Sequence, residues 1–364
     1  MRRRWDRALV VTDSVIAAAP PGRTVLGSLE SAGVETVVFD GGVPELPLDV
    51  VLEAIRFGKA GAPDCVIGLG GGSSIDLAKL VALGIAHGDD LRRFYGEEQI
   101  PGPVAPVVAI PTTAGTGSEV TPVAVITDPD ALLKVGISSR ALIPAVAVVD
   151  PRLTYGCPAN VTAFAGIDAL AHAVEAFTAA DRRLPPGSPA VFVGKNTLSD
   201  TFALRAIAEI APHLRGALED EPRARDAVAL GSLCAGLAFG TAGTAVAHAL
   251  QYPIGARTHT PHGLGTGLLL AYAMQFNRPV REGELAEVAR AMEVDDAIPA
   301  VARLAADVGV PASLAEIGVR EEELGELAEQ ATGVTRLLEN NPREAGAREL
   351  SEILAAAWKG ELTR

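Results

Sequence analysis

Asp168 and His172 lie four residues apart in the apolar run Gly166-Ile-Asp-Ala-Leu-Ala-His-Ala-Val-Glu175. On a helix this spacing stacks two side chains on one face, one turn apart. A carboxylate and an imidazole so placed can reach the same divalent cation, and a charge buried among apolar residues needs a partner or a metal. Two further ligand types follow, His248 in Ala247-His-Ala-Leu-Gln-Tyr252 and His262 in Thr260-Pro-His-Gly263. One Asp and three His make a closed protein set for one ion. A lone His on an apolar helix is more often a hydrogen-bonded core residue. However, three of the six His (87, 172, 213, 248, 259 and 262) fall in the least charged stretches of the second half, which favours a site.

Composition sets the frame. The 364 residues can bury a large core and suggest two domains. Lys and Arg number 31 against 45 Asp and Glu, a net charge of -14, which argues against a nucleic-acid partner. The run Arg2-Arg3-Arg4 reads as a solvated terminus and lies outside the described residues. Cys65, Cys157 and Cys234 are too sparse for a disulfide framework, and the N-terminus has no signal-peptide pattern, so a cytoplasmic protein is expected. The uncharged stretch 233–250 is rich in Gly, Ala and Thr and reads as a buried helix rather than a membrane span.

The elements that must position these residues change character at about residue 152. Before it, short apolar strands at 8–12, 35–40, 65–69, 104–110 and 145–150 alternate with helices up to 32, at 46–61 and at 75–87. A hairpin is expected at 120–127 and 132–137. This pattern predicts a parallel sheet with helices on both faces in a domain 1–152. The part 153–364 reads as all-helical, with segments at 161–179, 200–218, 222–241, 246–251, 268–276, 284–292, 297–308 and from 321 onward. Its longest helix-breaking loop is 182–196.

Gly70-Gly71-Gly72-Ser73 follows a strand and opens a helix whose first turn holds Asp76. Free N–H groups at a helix start, with the dipole behind them, favour an anion. The GxGxxG fingerprint is not met, and tight strand-to-helix turns use glycine anyway. A second loop, Pro111-Thr-Thr-Ala-Gly-Thr-Gly-Ser-Glu119, strengthens the nucleotide reading. Asp40, at the end of the second strand, would accept from a ribose hydroxyl and repel a 2′-phosphate, favouring NAD over NADP. Its alternative reading is a turn opened by Asp40-Gly-Gly.

With these motifs in view, the sequence resembles the iron-containing (group III) alcohol dehydrogenases. The resemblance rests on Gly70-Gly-Gly-Ser-Ser-Ile-Asp76, Pro111-Thr-Thr-Ala-Gly-Thr-Gly-Ser-Glu-Val120, Gly166-Ile-Asp-Ala-Leu-Ala-His172, Ala247-His through Pro261-His-Gly263, and Asn341-Pro-Arg-Glu344, and it covers almost the whole chain. It implies an α/β dinucleotide-binding domain and a helical metal domain, a dehydroquinate synthase-like architecture, with cofactor and metal meeting between them. It implies Fe²⁺, with Zn²⁺ as the alternative, on Asp168, His172, His248 and His262. It also implies NAD(P) contacts from Asp40, Gly71, Gly72, Ser73, Asp76, Thr112, Thr113, Thr116, Lys134 and Leu153.

Three departures stand out. The family begins with an extra strand before the one at Ala8, used as an edge contact in dimers; a homodimer is nonetheless the expected assembly. Many members carry a second His four residues after the third ligand, where this chain has Tyr252, leaving water or Tyr252 for the proton. The loop 182–196, with Lys195-Asn-Thr-Leu-Ser-Asp200 and the Tyr252-Pro-Ile segment, looks more like the hydroxyacid-oxoacid transhydrogenase branch than the propanediol oxidoreductase branch.

The resulting expectation is a metal-dependent, NAD(P)-linked alcohol dehydrogenase or aldehyde reductase acting on a small aldehyde or primary alcohol, neutral or anionic. A transhydrogenase with tightly bound NAD is the alternative. A synthase-type lyase and a non-enzymatic binding protein fit the ligand set less well. Phe239 is a pocket wall or a core residue. Arg257, His259 and Lys195 are the candidates for an anionic substrate group, with solvated surface positions as the ordinary alternative.

Overall fold

The computed structural model describes residues 5–131 and 134–362. The chain divides into two compact units. The first comprises Met1–Thr113, Gly117–Tyr155 and Pro189–Val191; the second comprises Ala114–Thr116, Gly156–Ser188 and Phe192–Arg364.

The first unit is built on β1 (Arg7–Val11), β2 (Glu35–Phe39), β3 (Cys65–Gly70), β5 (Val107–Pro111) and β8 (Val146–Ala147), all parallel in the order β2-β1-β3-β5-β8. Parallel strands need crossovers, and helices supply them: α1 (Ser14–Ala18) and α2 (Pro20–Ser31), α3 (Leu48–Gly61), and α4 (Gly72–His87). Strand β3 is buried along its whole length, as a central strand covered on both faces must be. A smaller sheet, β4 (Gly96–Glu97), β7 (Val135–Ser138) and β6 (Val123–Ile126), carries the antiparallel pair β6–β7. Residues 118–120 form a 3₁₀ turn rather than part of the expected strand, and Leu132 and Leu133 lie outside the described residues. The last strand is shorter than the expected 145–150, because Pro151 opens a turn capped by Asp150.

A buried ionic group ties α4 to the chain that follows β5. Lys79 is fully buried; its Nζ donates to the carbonyls of Thr121 at 3.0 Å and Val123 at 2.8 Å and lies 3.8 Å from Asp76. Burial lowers Lys79 to about 8, against the pull of Asp76 and the buried Glu119. Asp76 accepts from the Ser118 hydroxyl and from the Val125 N–H at 3.0 Å; burial raises its carboxyl despite these donors and Lys79.

The second unit is helical: α5 (Ala159–Thr178), α6 (Thr197–Leu218), α7 (Pro222–Ala242), α8 (Val246–Thr258), α9 (His262–Ala291), α10 (Ala297–Asp307), α11 (Leu324–Thr332), α12 (Thr335–Glu339) and α13 (Ala347–Lys359). Helix α5 is the centre: 15 of its 20 residues are buried, and beyond its exposed first turn it has no solvent face. The uncharged stretch is not one helix. It breaks at Gly243, with φ +85°, and α7 and α8 meet at 101°. Among the described residues no single helix is long and apolar enough to cross a membrane. Helix α9 starts at His262, earlier than the expected 268, and runs through a kink at Arg281 that merges the two expected segments.

Lys79 gives a pH signature. Its folded value near 8 lies below the ordinary 10.5, so between these values the unfolded chain holds a proton that the folded chain has released. Stability should therefore rise with pH across that window. Denaturant unfolding at pH 8, 9 and 10 should show this slope in the wild type and a flatter one in Lys79→Met; parallel slopes would remove Lys79 as its source.

Candidate metal centre and nucleotide loops

In the second unit, α5 projects Asp168 and His172 from consecutive turns, α8 brings His248, and the first residue of α9 is His262. One ligand atom from each of the four lies within 4.8 Å of all the others. His248 Nε2 and His262 Nε2 stand 3.7 Å and 3.8 Å from Asp168 Oδ1, and His172 Nε2 is 3.8 Å from Asp168 Oδ2. The close approach of α9 to α5 depends on Gly263: a Cβ there would fall 2.0 Å from the Phe164 carbonyl oxygen. The motif Pro261-His-Gly263 is thus a packing requirement that sets the fourth side chain over Asp168.

The donor set fits a first-row divalent cation. Four ligands at about 2.1 Å from one tetrahedral ion stand about 3.4 Å apart, so closing on an ion would draw in the 3.7–3.8 Å contacts to Asp168 by a few tenths of an ångström. His248 Nε2 is buried and has no hydrogen-bond partner, an orphan that a cation would satisfy. Imidazole and carboxylate suit Fe²⁺, Zn²⁺ and Co²⁺ alike.

A second layer orients these ligands. Glu175 Oε2 accepts from His248 Nδ1 at 2.6 Å, Gln251 Oε1 accepts from His262 Nδ1 at 2.7 Å, and the Thr266 hydroxyl donates to Asp168 Oδ1 at 2.6 Å. None of the three was singled out from the sequence. Each nonetheless lies three or four residues from a ligand on the same helix: Glu175 after His172, Gln251 after His248, Thr266 after His262. That spacing was the available signal. His172 stacks on Phe239 with ring centroids 4.1 Å apart and on His248 at 4.7 Å. Phe239 is buried and therefore backs the ligand ring.

Electrostatics follow the layout. Burial lowers His172 to about 4, against the attraction of Asp168. Burial would also lower His248, but the Glu175 and Asp168 carboxylates outweigh it and raise the ring. Burial raises the Asp168 carboxyl; the three imidazoles and the Thr266 hydroxyl overcome that and hold it low.

The expected anion partners behave differently. Arg257 is engaged by Glu323, and Lys195 Nζ bonds the Phe177 carbonyl at 2.7 Å and the Asp200 carboxylate at 2.9 Å. His259 is the exposed left-handed C-cap of α8, with φ +55°. The Tyr252 ring stands 6.3 Å from that of His262.

In the first unit the two small-residue loops are neighbours. Gly70 pairs with Pro111 at the ends of β3 and β5, and Thr112 N–H donates to the Gly70 carbonyl at 2.9 Å. Gly70 has φ +145°, and a Cβ there would meet Ser74 Oγ at 2.5 Å, so only glycine fits. Gly71 caps α4 with no side-chain cap bond, leaving Gly72 and Ser73 to open the helix. A Cβ on Gly71 would touch Thr113 at 3.5 Å, and Thr112 Oγ1 is buried without a partner. Thr116 belongs by its contacts to the second unit.

Asp40 is exposed at the end of β2. Asp13, which sequence reasoning passed over, lies beside the loop: its Oδ1 caps α1, and its Oδ2 would be 3.8 Å from a Cβ on Gly70. Asp76 is turned inward to Ser118, Val125 and Lys79, so its carboxylate supports the loop from behind. Lys134 pairs with Glu45 at 2.8 Å, and the Leu153 side chain is buried in an apolar cluster with Ala8, Val10 and Ile67.

Comparison with known proteins agrees with this layout. Residues 1–151 match the family described as iron-containing alcohol dehydrogenase, and residues 162–358 match the C-terminal part of the Fe-containing alcohol dehydrogenase family. The chain is 34% identical to 1,3-propanediol dehydrogenase of Citrobacter freundii, over 97% of this chain and 91% of that protein. It is 33% identical to lactaldehyde reductase of Escherichia coli K12, over 98% and 93%. A crystal structure of 1,3-propanediol oxidoreductase superposes with a TM-score of 0.91 at 32% identity, covering 97% of this chain and 92% of that one.

Cation binding to the four-residue cluster should raise the melting temperature of metal-free protein as Co²⁺ or Zn²⁺ is titrated in. Asp168→Ala should abolish that rise, and differential scanning fluorimetry with and without chelator reads it. An equal rise in Asp168→Ala would place the cation elsewhere.

Proposed function

Because this chain belongs to the iron-containing alcohol dehydrogenase family, we propose that it interconverts a small aldehyde and its primary alcohol, using NAD(H) and one divalent cation held by Asp168, His172, His248 and His262. The observation that carries the reading is the convergence of those four donors at one buried point of the helical unit. The bound ion supplies a Lewis acid for the substrate oxygen, and the nicotinamide cofactor accepts or donates the hydride.

The chain's own residues do the rest. Gly71, Gly72 and Ser73 offer helix-start N–H groups to the cofactor's phosphates, beside Thr112 and Thr113. Asp13 and Asp40 follow β1 and β2, and a 2′-phosphate bound beside either would meet their negative charge. Their repulsion supports NAD over NADP. Phe239 stacks on His172 and fixes its plane. Tyr252, one turn after His248, is the side chain proposed to hold a proton at its hydroxyl.

The state of the basic residues supports a neutral substrate. Arg257 and Lys195 are already engaged by Glu323 and Asp200, and binding an anion through either would break an existing pair. Fe²⁺ and Zn²⁺ both suit the ligands, so metal supply decides between them. A homodimer remains part of the reading, supported by the exposed Ile143, Val146 and Val148 around the edge strand β8. Sedimentation showing monomer alone would remove it.

The test follows NADH absorbance with propanal and with an anionic aldehyde, using chelated and metal-reloaded enzyme. The expected result is metal-dependent NADH loss, faster with the neutral aldehyde, and weak use of NADPH. Asp13→Ala should shift the NADPH/NADH preference tenfold or more, about 1.4 kcal/mol. Hydride passage between a hydroxy acid and an oxo acid with no exchange of free NADH would point instead to the transhydrogenase.

A further inference from the structure

Glu175 is a buried carboxylate with three donors on it. Its Oε2 accepts from Ala245 N–H at 2.9 Å and from His248 Nδ1 at 2.6 Å, and its Oε1 accepts from Ala247 N–H at 2.7 Å. Two of the donors belong to the start of α8, whose cap residue Ala245 has no side chain able to cap it. The third is the metal-facing histidine of that helix. Asp168, His172 and Glu175 all lie on α5, at spacings of four and three. One helix thus carries two ligands and the group that orients a third.

We propose that Glu175 is a positioning residue: it fixes His248 as the Nδ1–H tautomer, so that Nε2 presents its lone pair toward Asp168, and it pins the first turn of α8 there before any metal arrives. A carboxylate only accepts, so a ring nitrogen 2.6 Å from it must carry the hydrogen. The other nitrogen is then the acceptor, and His248 Nε2 is the buried atom without a partner. Carboxylate partners of this kind set the tautomer and raise the basicity of metal-binding imidazoles.

The competing explanation is that Glu175 serves only as a helix cap. A second tether separates the two. Asn340 Nδ2 donates to the Thr244 carbonyl at 3.0 Å, next to the same helix start, but no hydrogen bond joins Asn340 to His248. Asn340→Ala loosens that start and leaves the imidazole's partner in place. Glu175→Gln keeps the size, but its amide either donates to Nδ1, enforcing the wrong tautomer, or loses a backbone N–H.

This inference rests on the proposed metal site, and the experiment keeps the two apart. Co²⁺ affinity by chelator competition and apo-protein melting temperature are measured for wild type, Glu175→Gln, Glu175→Asp and Asn340→Ala. Expected is a roughly 10–100-fold loss of Co²⁺ affinity in Glu175→Gln, partial recovery in Glu175→Asp, and near-wild-type affinity in Asn340→Ala despite a lower melting temperature. Wild-type affinity in Glu175→Gln overturns the inference, as do losses in Glu175→Gln and Asn340→Ala that simply track melting temperature. If Glu175→Gln does not fold, or if the wild type binds no Co²⁺ and the metal site itself fails, the ring ¹⁵N shifts of His248 in metal-free wild type at alkaline pH still decide. Nδ1 protonated supports the inference; Nε2 protonated overturns it.

Discussion

Asp168 is the constraint on which the helical unit turns. It is a carboxylate 3% exposed, on a helix with no solvent face beyond its first turn, with three imidazoles and one hydroxyl aimed at it. A charge so placed costs several kcal/mol unless it is compensated. Much of the surrounding sequence serves that compensation. Gly263 lets α9 close on α5, and the break at Gly243 turns α8 so that His248 points inward. Glu175, Gln251 and Thr266 give three of the four ligands a second partner.

The α/β unit works by the opposite logic. Its strands end in loops with few side chains, and what they offer is backbone. Gly70 and Gly71 come up against Thr112 and Thr113, while Lys79 and Glu119 are buried behind them and Asp76 is largely covered. The ionic group ties α4 to the segment after β5, so the two loops cannot easily move apart. A rigid frame behind an open, polar, glycine-lined rim is what nucleotide binding at strand ends requires.

The sequence made the frame of both units readable, because hydrophobic period and glycine placement are local signals. Asp168 and His172 were legible as a pair from their spacing, His248 and His262 as further donors in uncharged stretches, and the family resemblance assigned all four to one metal. What stayed hidden was tertiary. The run Gly263-Leu-Gly-Thr-Gly267 looks like poor helix by propensity, yet it is the start of α9, because only small residues allow the contact with α5. Arg257 and Lys195 looked available because their carboxylate partners, Glu323 and Asp200, are known only after folding. Asp13 was overlooked for Asp40 since both end a strand followed by a turn, and only the fold shows which one faces Gly70.

The proposed chemistry needs a single cation where Asp168, His172, His248 and His262 converge. The most direct measurement is anomalous diffraction at the absorption edges of iron, cobalt and zinc from crystals loaded with each metal. A single cation at this point gives one anomalous peak within bonding distance of all four side chains. A peak elsewhere, or none at this point with metal present at saturating concentration, would contradict it.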